Sequence, residues 1–220
     1  MSAVNEFRQA AKEKRLKHYI TARTVGYCAR RLYFDLIYAH QVPPSPSLRR
    51  LWKRGSQAEV IAVEELTKAG TPVTDQQRML TNADAKVRGK IDGAFGSSLF
   101  EIKSAASQKF DRLYASLDMS EYLDQTLFYL HQGGYDEAVL VIIDRDAAID
   151  RNERRLFNVR VAPNRPRYEY LMSRATDIRW SAEKDAIPPA EGEPYCDYEC
   201  SFCPFQTPCS LVGVKRTMEA

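Results

Sequence analysis

The chain lacks any long hydrophobic run. None of its apolar stretches approaches the roughly 20 residues needed to cross a bilayer, so no membrane-spanning helix is expected. The first residues, Met1 to Lys17, are polar and charged and contain no apolar signal core, which predicts a cytoplasmic protein. Internal repeats and low-complexity segments are missing. No P-loop is present, so a built-in helicase motor is not expected. Histidine is scarce, and His18, His40 and His131 are too scattered to pair as metal ligands. A strong charge imbalance is also absent: 32 basic residues face 29 acidic ones, a net charge of +3 that rules out a histone-like polycation.

What remains is the composition of a globular domain. The 220 residues suffice for one domain with small appendages and a real core. The basic residues are unevenly placed. Arg49, Arg50, Lys53 and Arg54 form one cluster, and Arg151, Arg154, Arg155, Arg160, Arg165 and Arg167 form another. Either set has the charge to neutralise phosphates, or to form a solvated face. Tyr33, Tyr38, Tyr114 and Tyr122 suit base stacking or, more simply, packing.

Apolar periodicity predicts helices over Val4–Lys17, Thr21–His40, Arg54–Ala69, Tyr122–His131 and Tyr168–Lys184. Strands are predicted over Val73–Leu80, Lys86–Phe95, Leu99–Ser104, Glu137–Asp144 and Arg155–Val161, with Gly96-Ser97 as a turn and the proline-rich Val42–Ser47 as a loop. The apolar run in Glu137–Asp144 suits a central strand. The order predicts an α/β domain with one central mixed sheet flanked by helices. Residues 1–50 form an N-terminal helical segment, 51–187 the core, and 188–220 a cysteine-rich C-terminal module.

The most informative pattern is Gly89-Lys90-Ile91-Asp92-Gly93 followed by Phe100-Glu101-Ile102-Lys103. On a strand, alternate side chains share a face, so Glu101 and Lys103 point the same way. The turn at Gly96-Ser97 folds Asp92 back beside Glu101. Two such carboxylates repel unless a cation lies between them, and hard Mg²⁺ or Mn²⁺ suits their oxygens. Lys103 adds a positive charge, a combination fitted to phosphodiester hydrolysis. Without a cation, the same residues form a surface salt-bridge ladder. Gly89 and Gly93 permit close approach of another group. In the third predicted helix, Glu59 lies in line with Val63 and Leu66, an expensive place for a carboxylate that has no partner. Gln125 and Tyr129, four residues apart, share a helix face distinct from the stripe of Leu123, Leu127 and Leu130.

Cys200, Cys203 and Cys209 give a C-x2-C-x5-C spacing, and Cys28 lies far upstream. Clustered cysteines in a cytosolic chain point to metal rather than to disulfides. Cys28 can complete a four-thiolate set. The spacing also admits a zinc site from Cys196, Cys200, Cys203 and Cys209, with Cys28 as a buried apolar side chain.

Together these motifs resemble the RecB-like branch of the PD-(D/E)xK nucleases, which includes Cas4-like proteins and phage-type recombination exonucleases. The matches run in the family's order from Cys28 to Cys209. The resemblance implies a restriction-endonuclease-like core with a C-terminal iron–sulfur module. It implies metal ligation (Mg²⁺ or Mn²⁺) by Glu59, Asp92, Glu101 and the Ile102 carbonyl. Lys103 then stabilises the transition state or orients water, and Gln125 and Tyr129, as the Gln-x-x-x-Tyr motif, position DNA. Glu59 stands where many Cas4-like relatives have His. Cys28, Cys200, Cys203 and Cys209 are implied as ligands of a [4Fe-4S] cluster of mainly structural role. The implied activity is metal-dependent exonucleolytic cleavage, at least of single-stranded DNA, in recombination, repair or CRISPR adaptation, with proteins of those systems as partners. A non-catalytic DNA-holding subunit and a zinc-stabilised interaction module are the alternatives.

Overall fold

The structure is a computed structural model that describes residues 16–38, 45–189, 200 and 203–210. The helix expected over Val4–Lys17, as well as His40, Val42, Pro43, Pro44 and Cys196, lies wholly or largely outside the described residues. In chain order the elements are β1 (Ile20–Thr21), a 3-10 turn (Ala22–Thr24), α1 (Ala29–Tyr38), α2 (Pro46–Lys68), β2 (Met79–Asn82), β3 (Val87–Lys90), β4 (Gly93–Phe95) and β5 (Ser98–Ala105). They continue with α3 (Ser107–Ser116), α4 (Ser120–Gly133), β6 (Glu137–Asp144), α5 (Arg145–Asp150), β7 (Leu156–Val161) and α6 (Arg165–Glu183).

The strands form two sheets rather than the single one expected. One has the order β1-β3-β2, the other β4-β5-β6-β7. The cause is a break in the strand anticipated over Lys86–Phe95. Ile91 is fully buried and bonds through its backbone to Gln77 and Arg78, while the Asp92 carboxylate turns towards Ile102. β3 therefore pairs with β2 before the break, and β4 pairs with β5 after it. Gly96, at φ 58°, makes the turn between β4 and β5 in the left-handed region that favours glycine. β5 and β6 run parallel, with α3 and α4 in the crossover. β6 is buried on both faces, as its apolar run requires.

The larger sheet separates two cores. Leu99, Ala105, Leu140 and Ile142 face a core shared with α1, α4 and α6. Phe100, Ile102, Val141 and Ile143 face Ala58 and Ala62 of α2. This alternation fixes the register of β5, because a one-residue slip would exchange the two faces.

Several element boundaries differ from expectation. The Thr21–His40 helix is shorter because Ile20 and Thr21 pair with Val87 and Arg88 as a strand, and α1 starts only at Ala29. Pro46 opens α2 instead of ending a loop: Ser45 caps the helix by accepting a hydrogen bond from the Leu48 amide at 3.2 Å, and proline is tolerated in the first turn. The expected division between residues 50 and 51 thus falls inside α2. Only Met79 and Leu80 of the strand expected over Val73–Leu80 belong to β2. Asn164 caps α6 and starts it earlier than expected. Helices α3 and α5 were not anticipated; α5 is only six residues long, and α3 is short but amphipathic, burying Phe110 and Leu113 at helical spacing. On α4, Leu127 and Leu130 are buried, but Leu123 is exposed and leaves the expected stripe. No described helix is long and apolar enough to cross a membrane.

Candidate active site

The β4–β5 hairpin places Asp92 beside the strand that carries Glu101 and Lys103. Its Oδ2 accepts a hydrogen bond from the Ile102 amide at 2.7 Å. The Ile102 side chain packs into the second core. Glu101 is buried, and its Oε1 accepts a hydrogen bond from Lys103 Nζ. The same ammonium donates to Gln125 Oε1 at 2.9 Å, and Gln125 Nε2 bonds to the Tyr129 hydroxyl at 3.2 Å. One chain of contacts therefore runs from β5 to α4. A side chain at Gly89 would collide with the Tyr129 hydroxyl and ring, so the glycine on β3 makes room for this tyrosine. Gly93 is likewise crowded by Val73.

Glu59 reaches the site from α2. Its Oε1 accepts a hydrogen bond from Gln77 Nε2 at 3.1 Å. Burial, reinforced by the nearby Asp92 charge, raises its pKa to about 6 against the pull of Lys103. Burial likewise raises Asp92. Glu101 is raised by burial to about 8, with Asp92 and Glu59 adding to the shift and Lys103 opposing it. Burial works against the Lys103 ammonium, but Glu101 and Asp92 outweigh it and keep the lysine charged. Three carboxylates facing one ammonium leave negative charge under-compensated.

Glu101 Oε2 is buried and has no hydrogen-bond partner among the described residues. An orphaned buried carboxylate oxygen is costly, and a hard cation beside it would remove that cost. Glu59, Asp92 and Glu101 are the residues whose oxygens would suit such a cation. Among the described residues, no three His, Cys, Asp or Glu side chains form a ready-made ion cage. Mutual repulsion of uncompensated carboxylates opposes such closeness.

Beside Gln125 and Tyr129 lies a cavity of about 330 Å³, with Arg23, Arg88 and Lys90 among its walls. Arg23 also bears electrostatically on Lys103 and Tyr129. Neither Arg23 nor Gln77 carries a signal in the sequence: Arg23 lies in the short 3-10 turn and Gln77 in irregular backbone, and each comes to the site only through tertiary packing.

The two basic clusters differ in fate. Arg54 bonds to Asp146 and Asp150, whereas Arg49, Arg50 and Lys53 are exposed and form no ion pair with any described residue. Every arginine of the second cluster is ion-paired: Arg151 with Glu153, Arg154 with Glu65, Arg155 with Asp144, Arg160 with Glu137, Arg165 with Glu169 and Arg167 with Asp124. That face is already neutralised. Of the four tyrosines, Tyr33 and Tyr38 are buried and Tyr114 is exposed. Tyr122 is half-buried, with Lys103 Nζ 5.9 Å from its ring centroid.

The C-terminal segment folds back onto α1. Phe205 packs against Phe34 at 5.9 Å between ring centroids. Arg30, buried, donates to the Pro188 carbonyl at 3.1 Å and to Cys209 Sγ at 3.6 Å. Burial raises the Cys203 thiol, Arg31 opposes the shift, and Cys209 and Cys28 add to it, so three of the expected sulfurs share one electrostatic neighbourhood. The fourth, Cys200, accepts the Cys203 amide on its carbonyl at 3.1 Å.

No known protein-family profile matches the chain, and no curated protein is similar to it in sequence. Solved structures are similar in fold. One is an alkaline exonuclease (LHK-Exo) from Laribacter hongkongensis, with a TM-score of 0.60 and 17% identity over 81% of this chain and 94% of that one. A structure of LHK-Exo in complex with dAMP gives 0.59 and 16% over 82% and 92%. A phage-related exonuclease from Haemophilus somnus 129PT gives 0.51 and 11% over 71% and 81%. At these identities the shared property is the fold: an α/β architecture with mixed sheets flanked by helices.

Proposed function

We propose that this chain is a metal-dependent DNA exonuclease that hydrolyses phosphodiester bonds, at least in single-stranded DNA. The observation that carries the reading is the Glu101–Lys103 pair, electrostatically coupled to Glu59 and Asp92, with one Glu101 oxygen buried and unpartnered among the described residues. Glu59, Asp92, Glu101 and the Ile102 carbonyl would hold Mg²⁺ or Mn²⁺, which would supply phosphate polarisation and an activated water. The residues of the chain supply the rest. The Ile102 amide fixes the Asp92 carboxylate. Lys103, steadied by Gln125, directs positive charge to where the phosphate accumulates negative charge. Tyr129 fixes Gln125, and Arg23 and Lys90 line the adjacent cavity that would receive the strand. The choice of DNA is supported by the exonucleases that share the fold, one of them in complex with dAMP.

The C-terminal segment is proposed to carry a [4Fe-4S] cluster on Cys28, Cys200, Cys203 and Cys209. The return of Cys203 and Cys209 to α1, beside Cys28, supports this. Such a cluster would fasten the C-terminus to the N-terminal helix. A stand-alone enzyme of this kind would serve recombination, repair or CRISPR adaptation, in the manner of a phage-type or Cas4-like nuclease. The deciding experiment is cleavage of end-labelled single-stranded DNA with Mg²⁺, Mn²⁺ or EDTA, comparing the wild type with Lys103→Ala and Asp92→Ala. Cleavage should require the metal and be lost in both variants; undiminished cleavage in both refutes the assignment.

A further inference from the structure

We infer that Gln77 is a positioning residue, which fixes the Glu59 carboxylate against Asp92 from outside the conventional motifs. The inference rests on the reading of Glu59 as a metal ligand. Residues 74 to 78 form a brace around Asp92. On one side Thr74 exchanges backbone hydrogen bonds with Ala94, at 2.7 and 2.8 Å. On the other, the Gln77 amide donates to the Ile91 carbonyl at 3.0 Å, and the Ile91 amide donates to the Arg78 carbonyl at 3.1 Å. Asp92 sits between these anchors. The backbone takes a left-handed path here, with φ of 53° at Asp75 and 59° at Gln77; aspartate tolerates this region, but glutamine enters it far less readily than glycine or asparagine.

A turn alone therefore does not call for glutamine at position 77. The side chain accounts for it: Nε2 donates to Glu59 Oε1 at 3.1 Å, against a carboxylate that Asp92 repels. One residue thus ties α2 to the break between β3 and β4 that carries Asp92. Partners that orient a metal ligand in this way typically change metal affinity about 10–100-fold when removed.

The test uses Gln77→Gly and Gln77→Asn. Both substitutions fit the left-handed turn, glycine by its freedom and asparagine by its tolerance, and neither reaches Glu59. Mn²⁺ binding is measured by calorimetry on the full chain, alongside Tm, and cleavage is followed against Mn²⁺ and DNA concentration. The expected result is a Kd for Mn²⁺ about tenfold weaker in both variants with Tm preserved. Cleavage should recover at high Mn²⁺, and KM for DNA should not change. Glu59→Gln is the control. If it weakens Mn²⁺ binding while both Gln77 variants bind like the wild type, the positioning role is overturned and the metal reading stands. If Glu59→Gln also binds Mn²⁺ like the wild type, both fall.

Discussion

Asp92 Oδ2 accepts a hydrogen bond from the Ile102 amide at 2.7 Å, so this carboxylate is anchored to the backbone between Glu101 and Lys103. Its two proposed roles, holding the hairpin and ligating metal, can be separated. Asparagine at position 92 keeps an oxygen that can accept from the amide but loses the negative charge. Asp92→Asn should therefore retain the wild-type Tm and lose about 10²–10³-fold in cleavage rate, as when one electrostatic element of a site is removed. Asp92→Ala leaves the amide without its partner. It should lose the same activity and, in addition, about 1–3 kcal/mol of stability, seen in thermal melts. Equal Tm values for Asp92→Ala and wild type would show that the hydrogen bond is of no structural consequence.

Glu101 should make the metal-free protein sensitive to alkaline pH. Its folded pKa of about 8 lies above the ordinary carboxylate value of 4.5, because burial disfavours the charged form. A raised folded pKa means stability that is full below 4.5 and declines as pH rises towards 8. In EDTA, Tm should fall between pH 6.5 and 8. Glu101→Gln cannot ionise, so its Tm should stay flatter over that window while cleavage is lost. Added Mg²⁺ should raise the wild-type Tm more at pH 8 than at pH 6.5, since protons compete with the metal for the same oxygens. A metal-free Tm that climbs across the window, equally in wild type and Glu101→Gln, would contradict this account.

The pairing of Glu101 with Lys103, and of Gln125 with Tyr129, was readable because both depend on short periods. Two residues apart on a strand and four apart on a helix each place side chains on one face. Glu59 was legible for a related reason, as a carboxylate on the border of an apolar stripe. The break between β3 and β4 was not, since Ile91 and Asp92 continue an alternating pattern and leave it only because segment 74–78 and Ile102 compete for their backbone and side chain. Gln77 and Arg23 were invisible because nothing local marks a residue that reaches its partner across the fold. The neutralisation of the second arginine cluster was hidden in part: Glu153 and Glu169 lie within four residues of Arg151 and Arg165, but the partners Asp124, Glu65 and Asp111 are distant in sequence.

Gly89 should tolerate no side chain while Tyr129 is present. A Cβ there would strike the Tyr129 ring as well as Ala22. Gly89→Ala is expected to cost about 1–3 kcal/mol, in the range of an overpacked core, and to displace the hydrogen bond between Tyr129 and Gln125. Because Gln125 also holds Lys103, cleavage should fall with it. Combining Gly89→Ala with Tyr129→Phe should recover part of the Tm, by removing the hydroxyl, without restoring activity. A Gly89→Ala protein with unchanged melting and cleavage would mean that the close approach is not enforced.

The cysteine assignment has a compositional test. Protein purified without oxygen should contain about four iron and four sulfide per chain. Replacing Cys28, Cys200, Cys203 or Cys209 with Ser should remove the iron and lower Tm, because the tie between the C-terminal segment and α1 is lost. Cys196→Ser should retain the full complement. One zinc and no iron would instead select the alternative set that includes Cys196.

The exposed half of α2 should engage DNA, and the second arginine cluster should not. Arg49, Arg50 and Lys53 are unpaired among the described residues, and Trp52 beside them is exposed. Trp52 precedes Glu59 by seven residues, two helical turns, so both lie on one face about 10 Å apart along the axis. A strand seated at the site would pass the basic turns. Changing Arg49, Arg50 and Lys53 together to Ala should reduce the salt dependence of single-strand binding by about 0.7 per phosphate contact removed, without changing Tm. Trp52→Ala should weaken binding by about 1–3 kcal/mol if the indole stacks on a base. Arg160→Ala provides the contrast: it breaks an ion pair with Glu137, and its loss should leave DNA affinity as it was. Binding by fluorescence anisotropy between about 50 and 200 mM salt distinguishes these outcomes. An unchanged slope in the triple variant, or a changed one in Arg160→Ala, would place the strand elsewhere on the surface.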